Sequence, residues 1–325
     1  PDPPTSETFR RRFDVALLKG QENDACRVMR DTPQIAPSFP ARIFCLARGG
    51  DWTAAALSLR TGESLGFMNA AESALMSRFL DPELFEGEPD LPPPDPVTPL
   101  EFRLMEAIGQ PLSTATLPVA FAQADLRSNA GWKTRIEAGE RLARLGSISA
   151  NLLLGLYTER EEAASGGVWD RVAAIRSLDH ALATADTQAV IRALPTAWSR
   201  MTEIELEVPF ATLYGAELAR LGLDGEAGAL AFRVGLLSDA YETVARTRTP
   251  VDGIEAFLIG IARGKVDGLA PPDQLGGAIR TSFSGKVELP ADKQQLLDEG
   301  RIGEAVLGAI DDVEQGAKGD LRRVT

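Results

Sequence analysis

The chain has 325 residues, of which 44% are hydrophobic and 6% aromatic, and it carries a formal net charge of −13. This length and apolar content suffice for a large core or a long stacked one, and an aliphatic composition with few aromatic residues favours helices over sheets. The acidity is explained by solubility and argues against a general nucleic-acid binder, which needs a basic face to displace counterions from phosphate. No run of about 18 apolar residues occurs, so we expect no membrane span.

Apolar residues recur with helical spacing along most of the chain, and capping residues, prolines and glycines mark the predicted helix ends. Asn69 followed by Glu72, for example, has the spacing of a capping box. The predicted helices cover residues 5–19, 22–30, 39–48, 52–65, 69–80, 98–108, 118–126, 131–145, 151–162, 169–183, a stretch from 187 onward, 209–221, 226–237, 239–246, 253–262, 271–283, 290–299 and 302–314.

Two stretches depart from this pattern. Pro195 lies inside the helix that begins at Thr187 and predicts an interruption or a kink, because proline lacks the amide that a helix interior needs. Residues 203–208 alternate with a period of two, which is typical of a strand. A lone strand in a helical chain would lack a pairing partner, so we interpret these residues as the start of a helix or an extended link.

A proline-rich, acidic segment separates two helical parts of the sequence. Residues 81–99 contain seven prolines, six acidic residues and no basic residue, and a run of three prolines favours an extended polyproline conformation. We interpret residues 81–98 as a strap between an N-terminal helical subdomain, residues 1–80, and a C-terminal helical-repeat subdomain, residues 99–325. The alternative is a ligand for an aromatic groove on a partner.

One sequence pattern occurs four times along the chain. A helix end rich in Leu or Ala is followed by a glycine, then by an alanine four or five residues later, and then by an aliphatic residue within one turn. The glycines, which we expect to turn the chain, are Gly20, the pair Gly49 and Gly50, Gly222 and Gly300. The alanine would let two helices approach closely.

This pattern resembles the helical hairpin of tetratricopeptide-type α-solenoids, in which stacked pairs bury a continuous core. No period of about 34 residues holds, and the full tetratricopeptide signature is absent. The resemblance implies an all-α fold of helical hairpins stacked as an α-solenoid, with a concave face for a protein or peptide.

Residues 39–80 and 131–157 also resemble a group of uncharacterised, exported alphaproteobacterial proteins. That resemblance implies export and transfers no catalytic residue. The proline-rich start at residues 1–4 suggests a processed or excised end, and residues 320–325 read as the first turn of a helix, so we expect the natural chain to continue past Thr325.

Cys26 and Cys45 lie in neighbouring predicted helices. Two such helices can bring the Cα atoms within the range of about 4.4–6.8 Å that a disulfide needs. A disulfide would place the protein in an oxidising compartment such as the periplasm. Two buried thiols acting as small apolar groups, in a cytoplasmic protein, are the alternative.

No residue pattern predicts a catalytic, cofactor-binding or metal site. His180 is the single histidine, and no Gly-x-Ser-x-Gly elbow accompanies it, so we expect a structural or surface role. Two cysteines and one histidine cannot complete a zinc site without carboxylates. Gly-Lys pairs at residues 264–265 and 285–286 lack the rest of a Walker motif, and Asp311 and Asp312 lack calcium-loop spacing.

These observations favour a non-enzymatic helical scaffold in the cell envelope that binds a protein or peptide partner. The alternative is a carboxylate-dependent polysaccharide hydrolase or lyase on a helical fold, because such chemistry needs two acids in a cleft and 47 acids are available. A purely structural domain, with its function in further segments of the chain, is a third possibility. The four tryptophans are Trp52, Trp132, Trp169 and Trp198. We expect them to pack in the core, and the alternative is that they line a groove.

Overall fold

The computed structural model describes residues 5–283 and 289–317, with side chains in the second range as far as residue 312. Every regular element in these ranges is helical, which confirms the all-α fold class. The α-helices before residue 239 are α1 (Ser6–Lys19), α2 (Glu22–Asp31), α3 (Phe39–Arg48), α4 (Trp52–Ser64), α5 (Ala70–Leu80), α6 (Pro99–Ala107), α7 (Ala122–Asp125), α8 (Trp132–Arg144), α9 (Ala150–Thr158), α10 (Val168–Ala183), α11 (Thr187–Thr202), α12 (Glu207–Arg220) and α13 (Gly225–Leu236). Those after it are α14 (Tyr241–Thr247), α15 (Gly253–Ala262), α16 (Gln274–Phe283), α17 (Ala291–Asp298) and α18 (Ile302–Ala317). Among the described residues, no helix combines the length and the apolar character that crossing a membrane requires.

Of the two outcomes predicted at Pro195, the interruption is wrong, because α11 continues through it to Thr202, and the kink stays a prediction. Proline removes one helical hydrogen bond, but the helix stays anchored on both sides of it by one buried face. That face consists of Val190, Leu194, Ala197 and Met201.

The burial of side chains explains two other helix boundaries. Helix α9 ends at Thr158, four residues before its predicted end, because every residue from 158 to 167 is exposed. In the period-two stretch, Glu205 has φ 59° and turns the chain, and Leu206 is fully buried at the start of α12. The alternating pattern therefore marks a turn into a helix, in agreement with one of its two interpretations.

Contacts divide the chain into one unit that ends at Ser238 and a second that begins at Asp239. The first unit has two large apolar clusters, one built mainly from α1–α6 around Phe13 and one built from α8–α13 around Leu194 and Phe210. Helix α7 packs against both α1 and α8 and so joins the two halves of this unit. In the second unit, α14 packs against α15, and α17 packs against α18.

The strap lies within the first unit. It starts with a 3-10 turn at Pro82–Phe85 and continues without regular structure to α6, which packs against both α1 and α5. The amide of Leu91 donates a hydrogen bond to Oε1 of Gln110 at 3.1 Å, and the Leu91 side chain packs against the N-terminal cluster. The subdomains 1–80 and 99–325 and the strap 81–98 remain a prediction as domains.

The turn between α3 and α4 shows how a glycine ends these helices. Gly50 has φ 84°, whereas Gly49 has φ −80° and stays in the right-handed region, so one left-handed residue suffices. The amide of Asp51 then bonds the Leu46 carbonyl at 3.0 Å, and its carboxylate caps α4 by accepting from the Ala54 amide at 3.0 Å. Among the other predicted turn glycines, φ is also positive at Gly20, Gly222 and Gly300.

Candidate functional site

A disulfide joins α2 to α3. The Cα atoms of Cys26 and Cys45 lie 5.0 Å apart, and both side chains are buried in the N-terminal cluster. The bond closes a loop in which the two cysteines are 19 positions apart. Such a loop is long enough for a cross-link to restrict the unfolded chain substantially.

An ion-pair network lies beside the disulfide. Glu22 on α2 is almost fully buried. It accepts a hydrogen bond from Arg103 at 3.1 Å and forms an ion pair with Arg48 at 3.3 Å. Arg103 also pairs with Glu106, which pairs with Arg127 at 3.0 Å. The network joins α2, α3, α6 and the turn after α7.

A second buried network occupies the other half of the unit. Glu140 on α8 accepts from both Nε and Nη2 of Arg171 on α10 at 2.7 Å, and from the hydroxyl of Tyr157 on α9 at 2.8 Å. Burial raises the pKa of Tyr157, and the Glu140 carboxylate raises it further. Glu140 is 5% exposed, and its partners come from two other helices, α9 and α10. Both Glu140 oxygens are thus engaged within the fold.

A cavity of about 230 Å³ opens between α1, α3, α5 and α6. Its walls combine apolar side chains of these helices with three carboxylates, those of Asp14, Glu72 and Glu101. We call it the Asp14 pocket. A carboxylate-dependent hydrolase needs a cleft with paired acids, and this cavity has three carboxylates in its walls.

Two of the three acids in this pocket have structural partners. Glu72 accepts the Asn69 amide at 2.8 Å, and Glu101 accepts the Thr98 amide at 2.9 Å. Both pairs are capping boxes, in which the N-cap side chain in turn accepts the amide of the glutamate. These carboxylates therefore hold the starts of α5 and α6.

Asp14 has a different environment. Burial raises the pKa of its carboxyl, while the Arg10 guanidinium, 3.7 Å away, lowers it and Glu7 raises it. A carboxyl with a raised pKa can donate a proton, which is what a general acid does. The pocket thus offers one candidate acid, with the other two carboxylates committed to helix caps.

The second unit has a groove between α17 and α18, with a volume of about 350 Å³. Its walls are formed by Leu289, Pro290, Lys293, Leu297, Ala305, Val306, Ala309 and Asp312, and we call it the α17–α18 groove. Lys293 pairs with Asp292 at 2.7 Å and with Asp312 at 3.3 Å, which places a charged cluster beside an otherwise apolar wall.

The apolar face of α18 is exposed next to this groove. Ile302, Val306 and Ile310 recur every four residues, as along one helical face, and each is more than half exposed. Of the described side chains in α17 and α18, Ala305 alone is buried. A helical hairpin with so little buried surface presents most of its apolar side chains to solvent.

Of the remaining sequence candidates, Trp132 and Trp169 lie together, with their ring centroids 5.0 Å apart. His180 is exposed on α10, and Trp132, Trp169 and Trp198 pack against the core of the first unit. Core packing is wrong for Trp52, which is 52% exposed at the start of α4. Residues 264–265 lie in the turn after α15, Asp311 and Asp312 lie on α18, and residues 285–286 fall outside the described residues. In the described part of the chain, no three His, Cys, Asp or Glu side chains are grouped to hold a metal.

Sequence reasoning missed both the Asp14 pocket and the α17–α18 groove. The pocket brings together residues from four helices, and no local pattern reports that arrangement. A signal for the groove was present in the four-residue spacing of apolar side chains on α18, but that spacing also describes a helix packed in a core. Comparison of the chain with protein families, with curated proteins and with solved structures finds no match.

Proposed function

We propose that this protein is a non-enzymatic helical scaffold that binds a protein or peptide partner, with its helical hairpins stacked as an α-solenoid. The observation that carries the proposal is the α17–α18 groove with the exposed face of α18. Apolar surface that is contiguous and rimmed by polar residues is typical of protein-interaction sites.

The energetics of the hairpin support this interpretation. Short helices gain most of their stability from packing an apolar face, and α17 has eight residues, none of them buried. Side chains such as Ile302 and Ile310 each gain about 1.5–3 kcal/mol when they are fully transferred from water. A partner that covers the face would supply the burial that the hairpin lacks among the described residues.

The disulfide supports a location in the cell envelope. Disulfides persist in oxidising compartments such as the periplasm and are reduced in most cytosols. Cys26 and Cys45 are buried as a bonded pair, and the net charge of −13 makes nucleic acid an unsuitable partner. We therefore place the scaffold and its partner outside the cytoplasm.

The test is affinity purification of the full-length tagged protein from its own cells after cross-linking, with quantitative mass spectrometry of the bound proteins. A reproducible partner in stoichiometric amount, accessible to a membrane-impermeant cross-linker, is the expected result. Recovery of the protein alone from cross-linked cells would overturn the scaffold function. Recovery with cytoplasmic proteins alone would overturn the location.

The Asp14 pocket favours a second candidate, a carboxylate-dependent polysaccharide hydrolase or lyase. Its specific support is the raised pKa of the Asp14 carboxyl inside a cavity. The purified chain would be incubated with a panel of polysaccharides and assayed for new reducing ends or unsaturated products. Turnover that Asp14→Asn abolishes, and that Asp186→Asn on the α11 cap does not, would establish this candidate in place of the scaffold.

A further inference from the structure

Acidic side chains outnumber basic ones in the hairpin that forms the α17–α18 groove. Residues 289–312 contain six carboxylates and two basic side chains. Both basic side chains are engaged: Lys293 with Asp292 and Asp312, and Arg301 with Glu299 and Glu304. The groove walls are apolar apart from Lys293 and Asp312. The hairpin that forms them has four more acidic than basic side chains over residues 289–312, and we call its six carboxylates the acidic rim.

The exposed apolar side chains of α18 lie along one face, as they do in a helix that packs against a second helix. Ile302, Val306 and Ile310 follow one another along α18, with Val306 also forming part of the groove wall. From residue 302 to residue 312 the helix is about 16 Å long, at about 1.5 Å per residue. A second helix of about three turns would match this length and could insert its own apolar side chains alongside α18.

We infer that the α17–α18 groove docks a basic amphipathic helix of a protein partner. This inference rests on the proposed function and names the kind of segment that the scaffold binds. Apolar residues of the docked helix, spaced at i, i+3, i+4 and i+7, cover the face of α18. Lysine and arginine residues flanking that stripe lie against the acidic rim, where the charges are complementary.

The same charges disfavour two other occupants. An anionic membrane surface attracts basic segments and repels an acidic rim, so lipid is a poor match for the exposed face. A second copy of this hairpin would bring two acidic rims together, and like charges across an interface oppose association. A basic protein segment satisfies both the apolar wall and the acidic rim.

The experiment measures binding of a fluorescent synthetic peptide to the purified full-length chain by anisotropy. The probe is a peptide of leucine, alanine and lysine, about 14 residues long, with leucines at the helical spacing given above. A peptide of the same composition in scrambled order tests amphipathicity, and one with glutamate in place of lysine tests charge. The protein variants are Ile310→Asp in the exposed face and Leu57→Asp on α4, where a leucine is exposed to a similar extent.

The amphipathic basic peptide should bind at least about tenfold more tightly than either control peptide. Ile310→Asp should lower the affinity of the protein for that peptide by about tenfold or more. Leu57→Asp should leave the affinity unchanged. Equal binding of the three peptides, equal binding by Ile310→Asp, or no binding at all would overturn the inference. Sedimentation that shows a dimer of the wild type and a monomer of Ile310→Asp would assign the face to a second copy instead.

Failure of this inference and failure of the scaffold function give different results. If the cellular purification yields a stoichiometric partner that Ile310→Asp retains, the scaffold stands and the groove assignment falls. If neither the cellular purification nor the peptide assay gives binding, both fall.

Discussion

Removing one partner from the buried Glu140–Arg171 pair should destabilise the first unit strongly. The substitution Arg171→Met keeps the apolar stem of the side chain but removes both hydrogen bonds to Glu140, at 2.7 Å each. Glu140 is then left buried with the Tyr157 hydroxyl as its remaining hydrogen-bond donor from this network. Breaking a buried pair in this way costs about 3–5 kcal/mol, because an uncompensated charge stays out of water.

The assay is urea unfolding followed by tryptophan fluorescence. All four tryptophans lie before residue 239, so the signal reports on the first unit, and Trp132 and Trp169 sit on the helices that carry the pair. The matched control is Lys133→Met, which removes an exposed ion pair with Glu137 on the same helix α8. An exposed pair of this kind contributes about 0.3–0.5 kcal/mol.

The double variant Glu140→Met with Arg171→Met should recover much of the loss. It removes both charges, and its remaining cost is about 1–3 kcal/mol for a Tyr157 hydroxyl that has lost its carboxylate acceptor. The reasoning would be refuted if Arg171→Met cost no more than Lys133→Met. It would also be refuted if the double variant were no more stable than the single one, because the penalty would then not come from a stranded charge.

Three further predictions concern the disulfide, the glycine turns and Asp14. Reduction of the Cys26–Cys45 bond should lower the stability of the first unit by about 3 kcal/mol, from the loop-closure entropy of its 19-position separation, and the denatured, unreduced protein should show no reactive thiol. Gly50→Ala should destabilise the protein by about 1–2 kcal/mol in thermal unfolding, because φ is 84° there. Gly155→Ala should stabilise it by about 0.5–1 kcal/mol, because Gly155 lies inside α9. An added Cβ atom would meet open space at both positions. Asp14→Asn should raise the melting temperature at pH 7, because burial raises the folded-state pKa of this carboxyl and makes its ionised form destabilising. The gain should fall with pH and vanish below about pH 3, where the carboxyl is protonated in both the folded and the unfolded state.

Each of these has an outcome that contradicts it. A variant lacking both cysteines should unfold identically with and without reductant. If the wild type also had the same stability with and without reductant, the bond would add no stability. Equal effects of Gly50→Ala and Gly155→Ala would show that backbone conformation does not distinguish the two glycines. A gain from Asp14→Asn that persists at acidic pH would assign the effect to packing instead of ionisation.

Most of the secondary structure was predictable because its causes are local. Asn69 with Glu72 forms the capping box that its spacing indicates, and Asp51 caps α4 after the turn at Gly50. An interruption at Pro195 is the wrong prediction, because a proline penalty of about 3 kcal/mol is a local cost. Burial of Leu194 and its neighbours on the same face offsets that cost through contacts with other helices.

The candidate sites were less predictable, because each depends on residues that are distant in sequence. Glu22 and Arg103 are 81 positions apart and meet at 3.1 Å, and the walls of the Asp14 pocket come from α1, α3, α5 and α6. Among 47 acids, nothing local distinguishes Asp14 from an exposed aspartate. Its raised pKa results from the helices that cover it.

The sequence by itself determined that this protein is acidic, all-helical and turned by glycines, because composition, capping and apolar spacing act within a few residues. Tertiary structure decided which apolar faces are covered. Val190 on α11 and Val306 on α18 have the same helical spacing to their apolar neighbours, yet Val190 is buried and Val306 is half exposed. The physical reason is that burial depends on whether another element packs on a face, and periodicity describes the face but not its neighbour.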